Sequence, residues 1–155
     1  MRRGLGGGLE LDDSRDRIDR VEVHRFLSEV SYWAKGRARE TQDRLIAEAA
    51  RVVGVYDGDR QVGFCRAASD GVSFVYLADV YLLPEYRGRG LGEALVREMI
   101  EGSPLASRCW LLHTTDMHAL YRKLGFEAPN YKVMERPPDR GQGASRSTSH
   151  PSASG

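Results

Sequence analysis

The stretch with the clearest chemical content runs from Asp79 to Gly92, Asp-Val-Tyr-Leu-Leu-Pro-Glu-Tyr-Arg-Gly-Arg-Gly-Leu-Gly. It reads as a strand that ends at Pro84 and passes through a glycine-rich turn into an amphipathic helix. Gly88, Gly90 and Gly92 remove side chains where a ligand must approach, and the first N–H groups of the helix, which have no partner inside it, point at the same place. The helix dipole and Arg87 or Arg89 add positive potential. Together these features form an arrangement for holding phosphate. A dinucleotide-binding fingerprint would need its third glycine where Glu93 stands, and Pro84-Glu85-Tyr86 separates this turn from its strand. A P-loop would need Gly-Lys followed by Ser or Thr, which does not occur here.

A second segment, Leu112-His-Thr-Thr-Asp-Met-His-Ala-Leu-Tyr-Arg-Lys-Leu-Gly-Phe126, carries a strand end, a loop and a helix. A third, Ser31-Tyr-Trp-Ala-Lys-Gly-Arg37, sits between two helices. There Tyr32 and Trp33 could bind a cationic amine through their ring faces and Arg37 could hold a carboxylate; equally, the segment could cap the core. Asp116, ahead of Tyr121, suits the first turn of a helix. Cys65 and Cys109 lie in apolar, strand-like runs without Cys-x-x-Cys spacing and read as buried free thiols. The histidines at 24, 113, 118 and 150 form no ligand pair on one helix face, so no metal is expected.

The elements that must position these residues follow from periodicity. Ile18, Val21, Phe26, Leu27 and Val30 give a helical stripe, and residues 38–50 read as a second helix through Leu45, Ile46 and Ala49. Residues 52–56 and 61–67 flank Asp57-Gly58-Asp59, a hairpin signal, and Asp70-Gly71 repeats the device ahead of residues 72–83. A helix follows through Leu91, Ala94, Leu95 and Met99, then a buried strand at 108–113. A final helix through Met117, Leu120, Tyr121 and Leu124 is capped by Gly125, and a last strand is expected near 131–135. The fold class is mixed α/β, a mostly antiparallel sheet with flanking helices.

The chain has 155 residues, 41% hydrophobic and 29% charged, which suits a single globular domain. Residues 9–136 are expected to form it, with a loose, flexible stretch at 1–8 and a disordered tail at 137–155 rich in Pro, Gly, Ser and Arg. The formal net charge is +1 with acids and bases interspersed, so no field favours nucleic acid. Apolar runs are far shorter than the roughly 20 residues that span a bilayer, and Met1-Arg2-Arg3 leads into no apolar stretch. The expected compartment is the cytoplasm.

Arg87-x-x-Gly90-x-Gly92 after a strand resembles the acyl-CoA pyrophosphate loop of the GNAT acetyltransferases, and Leu120-Tyr-x-x-x-Gly-Phe126 resembles the second signature of that family. The order and separation of the motifs agree from about residue 9 to 135. The resemblance implies an N-acetyltransferase that uses acetyl-CoA as cosubstrate and acetylates a primary amine of a small molecule or peptide. It implies a diphosphate resting on Gly88, Arg89, Gly90, Leu91, Gly92 and Glu93 with Arg87 nearby. It implies a pantetheine arm pairing with the main chain of Val80, Tyr81 and Leu82, where one N–H faces the thioester oxygen. Such pairing needs a bulged, splayed strand. Thr114 stands where many members have Asn and can donate one hydrogen bond. Tyr121 is implied as the general acid that protonates the leaving thiolate. Asp79 could accept the amine proton, hold the ammonium, or tie down a backbone turn. The alternative function is a CoA-binding module without catalysis; a homodimer is left open.

Overall fold

The computed structural model describes residues 1–129 and 132–138. At its centre lie two strands, Arg51–Asp57 (β3) and Arg60–Ser69 (β4), in which apolar residues run with few interruptions because helices cover both faces. They form part of a six-stranded sheet with Arg2–Gly6 (β1), Leu9–Asp12 (β2), Phe74–Leu82 (β5) and Cys109–Leu111 (β6), ordered β1-β2-β3-β4-β5-β6. Every neighbouring pair is antiparallel except β5 and β6. That parallel pair is joined by the crossover helix Leu91–Glu101 (α3), which buries Leu91, Leu95, Val96 and Met99. The mixed, mostly antiparallel sheet expected from the sequence is the one observed.

Helices lie on both faces. Arg20–Arg25 (α1) starts at Asp19, whose carboxylate accepts the Glu22 N–H at 3.0 Å, and continues into a π-turn at Phe26–Val30 that buries Phe26 and Leu27. Arg39–Glu48 (α2) follows, burying Ile46 and Gln42. Adjacent residues of β5 separate the two layers: the Tyr81 ring stacks on Phe26 with centroids 4.0 Å apart, whereas Leu82 lies beside Gly92 of α3. The last helix is His118–Lys123 (α4). No helix among the described residues is long and apolar enough to cross a membrane.

Three expectations need correction. Residues 1–8 are not a loose lead: Arg2–Gly6 pairs with β2, and Leu11 of β2 is fully buried opposite Val55. Glycines at 4 and 6–8 hid the strand, because too few side chains remain to show alternation. Residues 132–135 form no strand, Val133 and Met134 are exposed, and Tyr131 lies outside the described residues, as does the tail from 139 onward. Cys109 is exposed rather than buried, since β6 is a three-residue edge strand, while Cys65 is buried in β4.

Gly63 marks the tightest approach within the sheet. A Cβ there would lie 3.0 Å from the Tyr81 carbonyl oxygen and 2.5 Å from Leu82 Cδ2, so β4 and β5 close only over glycine. Gly63→Ala is expected to lower stability by about 1–3 kcal/mol with an unchanged m-value in urea, because overpacking strain in the folded state exceeds the entropy that the added methyl removes from the unfolded chain.

Candidate active site

The site begins at a bulge. Phe64 pairs with Tyr81 and Arg66 with Ala78, so Cys65 alone faces both Asp79 and Val80. Asp79 has φ +54°, a left-handed conformation that Asp tolerates better than most residues. The extra residue puts Ala78 and Asp79 on the same face, toward α1 and α2, and bends the strand. β6 meets β5 only from Phe74 to Tyr76, so the second edge of β5 from Leu77 to Leu82 has no strand partner among the described residues. A gap therefore opens between β5 and β6. Val80, Tyr81 and Leu82 border it with main chain, as the resemblance requires, while the Tyr81 side chain turns away into the core against Phe26 and Phe64.

Asp79 is 5% exposed and fully engaged. Its Oδ1 accepts Trp33 Nε1–H at 3.1 Å; its Oδ2 accepts Arg37 at 2.8 Å and Arg66 Nε–H at 2.6 Å. Burial by itself would raise this carboxyl, but the Arg66 and Arg37 charges and hydrogen bonds outweigh it and hold the group below its ordinary value. A carboxylate so stabilised is a poor proton acceptor. Of the roles open to Asp79, the geometry favours tying down the bulge and the 31–37 loop over acting as a base. Arg37, which the sequence offered for a ligand carboxylate, bonds both Asp79 and Gln42 through its Nη1.

Beyond β5 the chain makes a short 3₁₀ turn at Pro84–Tyr86 and enters α3 through Gly88 and Gly90, at φ +76° and +75°. No backbone acceptor among the described residues meets the N–H groups from Gly88 to Glu93; Ala94 is the first to close a helical bond, to Gly90 at 3.0 Å. An added Cβ at Gly88 or Gly90 would meet nothing within 4 Å, so the cradle is open to a ligand. Arg87 donates to the Leu82 carbonyl at 3.1 Å and Arg89 to the Glu85 carbonyl at 3.2 Å, which keeps both guanidiniums over the loop. Leu91 is buried in α3, and the Glu93 side chain pairs with Arg97 at 2.9 Å, so these two face the cradle by main chain. An anionic diphosphate fits this donor set, and an extended amide-bearing arm fits the open edge of β5.

Tyr121 reaches the gap from the α3 side. Gly125, at φ +86°, ends α4 and lets the Phe126 N–H bond back to the Tyr121 carbonyl at 3.0 Å, which sets the two rings edge to face at 5.7 Å. The Tyr121 residue is 8% exposed, and its hydroxyl has no hydrogen-bond partner among the described residues. Burial pushes its pKa up to about 12. From the opposite face come Tyr32 and Trp33, ring to ring at 5.0 Å and both substantially exposed; the Tyr32 hydroxyl bonds to Thr115 Oγ1 at 2.6 Å. Thr114 Oγ1 accepts the Met117 N–H at 3.1 Å and still has its own proton to donate.

Sequence reasoning passed over Arg66, Tyr76 and His113. Arg66 had a visible signal: a charge inside the apolar run of β4. Tyr76 and His113 share a hydrogen bond across the parallel pair, which sequence spacing does not reveal.

This fold and site match a known family. Residues 48–128 fit the profile described as the acetyltransferase (GNAT) domain. A crystal structure from Xanthomonas campestris, of a protein described as belonging to that family, superposes with a TM-score of 0.79 at 34% identity, covering 87% of this chain and 96% of the other. A mycothiol acetyltransferase from Corynebacterium efficiens is 33% identical over 122 residues, 73% of this chain and 40% of its own length. An N-acetyltransferase of Porphyra purpurea is 38% identical over 69 residues, 43% of this chain and 40% of its own. The chain thus spans about two fifths of the curated relatives it matches. It belongs to the GNAT acetyltransferase family.

Asp79→Asn should destabilise the fold by about 3 kcal/mol at pH 7, since it leaves buried guanidiniums without their carboxylate. The wild-type contribution is complete above the ordinary carboxyl value of 3.8 and is lost as the pH falls through the lower folded value. Urea unfolding at pH 7 and at pH 3 should therefore show the two proteins converging in acid.

Proposed function

We propose that this chain is an acyl-CoA-dependent N-acetyltransferase that acetylates a primary amine of a small molecule or peptide by direct attack. The observation that carries the reading is the run of unpaired N–H groups at Gly88–Glu93, placed at the end of a strand whose edge is open from Leu77 to Leu82. Family membership supports it. Acetyl-CoA supplies an acyl group activated as a thioester.

In this reading the loop N–H groups and the α3 dipole hold the diphosphate, with Arg87 and Arg89 adding charge. The main chain of Val80–Leu82 pairs with the pantetheine amides, and one N–H there donates to the developing oxyanion. Thr114 gives its hydroxyl proton to the same ligand. Tyr121 gives its proton to the departing sulfur. With a pKa near 12 it stays protonated across the physiological range. The burial that raises this phenol also raises the proton affinity of a thiolate beside it, so the transfer remains matched. Solvent accepts the amine proton, since Asp79 is engaged. Tyr32 and Trp33 flank the approaching amine with exposed ring faces.

Thiol release from acetyl-CoA against a panel of amines, amino acids, polyamines and peptides tests the activity; binding of CoA without turnover would favour a module without catalysis. In Gly90→Val the left-handed φ of +75° becomes strained and the loop must reshape, so calorimetry should show CoA affinity falling at least about tenfold. Unchanged affinity would move the diphosphate elsewhere. Tyr121→Phe keeps the ring against Phe126 and removes the hydroxyl. We expect kcat to fall by roughly 10²- to 10⁴-fold with little change in CoA affinity or melting temperature. A near wild-type kcat would make Tyr121 a packing residue.

A further inference from the structure

Arg66 has a terminal fork with no hydrogen-bond partner among the described residues. It stands on β4 opposite Ala78 with its side chain on the α1–α2 face, beside the bulge. The side chain is only 12% exposed, and its Nε–H is taken by Asp79 Oδ2. Neither terminal nitrogen donates to an acceptor among the described residues. Arg37, 18% exposed, bonds the same carboxylate. Two guanidiniums therefore share one carboxylate, and one positive charge is left over in a largely dehydrated place. A partly buried charge without a counter-ion is costly, and a ligand anion removes that cost.

The surroundings define which anion. Trp33, hydrogen-bonded to Asp79, and Tyr76, which shares a face of β5 with the Ala78 that pairs with Arg66, flank the cluster. Tyr76 in turn holds His113 Nδ1, and the well-exposed Glu135 lies on the outer side of that imidazole at 3.4 Å. The balance of the buried groups is thus a single positive charge, matched by a monoanion rather than a phosphate dianion. A planar guanidinium fork accepts a carboxylate edge-on. It repels polycations.

We propose that the free fork of Arg66 holds a carboxylate of the acceptor, so that the acceptor is an amine of the amino-acid class, carrying a carboxylate within a few bonds of its nitrogen. The clamp lies next to Asp79 and Val80, where the bulged main chain borders the gap between β5 and β6, which places the acceptor nitrogen at the mouth of that gap. This rests on the acetyl-transfer reading above.

The test compares amino acids with their own carboxamides and decarboxylated amines as acceptors of the purified chain, by thiol release, with CoA binding followed separately by calorimetry. Free carboxylates should exceed their carboxamides by at least about tenfold in kcat/KM. Arg66→Lys keeps the charge but loses the fork; KM for the carboxylate acceptor should rise about tenfold or more and the carboxylate-to-carboxamide ratio should collapse toward one. The wild-type ratio decides the matter even if the variant folds poorly. If carboxamides or simple amines are acetylated as well as the carboxylates, the clamp is wrong and acetyl transfer stands. If CoA binds and no amine in any class releases thiol, the acetyl-transfer reading fails and the clamp fails with it.

Discussion

The left-handed turn at Asp79 is the constraint on which the rest of the site depends. Holding a non-glycine residue there costs on the order of 1–2 kcal/mol. Its carboxylate meets this with hydrogen bonds from Trp33, Arg37 and Arg66, two of them charge-assisted and worth about 1.5–3 kcal/mol each when well formed. The balance favours the bulge. One residue thereby bends β5 away from β6, puts consecutive side chains on one face, and anchors the 31–37 loop over the opening.

The glycine-rich cradle at the start of α3 is built on a different principle. Its donors are main-chain N–H groups oriented by the glycines at 88 and 90 and by the first turn of α3, while Arg87 and Arg89 are tied to carbonyls of the loop itself. Its donor set is fixed by backbone geometry more than by net charge, in a chain whose formal charge is only +1. Positive charge is concentrated instead on the other face, at Arg37 and Arg66, where low exposure strengthens each interaction. The N–H row by the loop and the cationic cluster by the bulge thus lie toward opposite ends of β5.

The two faces of the sheet contribute complementary groups to one gap. Tyr121 comes from α4 on the α3 side, held by Phe126 and left with a free hydroxyl; Tyr32 and Trp33 come from the α1–α2 side, held by Thr115 and Asp79. Only a sheet that splits can admit side chains from both faces to one point. The short pairing of β6, confined to Phe74–Tyr76 of β5, is what splits it.

The central strands, the crossover helix, the glycine-rich turn and the Leu120–Phe126 helix were legible in the amino-acid order, because each is governed by contacts within a few residues: alternation, helical spacing, glycine at positive φ. So was the row of N–H groups at the start of α3, since a helix start after glycines exposes them wherever it stands. The β1–β2 hairpin was not legible, because Leu5, Leu9 and Leu11 show their purpose only against the folded core. Nor was the difference between Arg37 and Arg66. Both are arginines near apolar segments; Arg37 meets Asp79 through Nη1 and Arg66 through Nε, and that difference depends on a carboxylate 42 and 13 residues away in sequence. Local order determined the pieces and the glycine-rich loop. Tertiary structure alone decided the partners of each charge, because a charge is satisfied by whatever folding brings within hydrogen-bond reach.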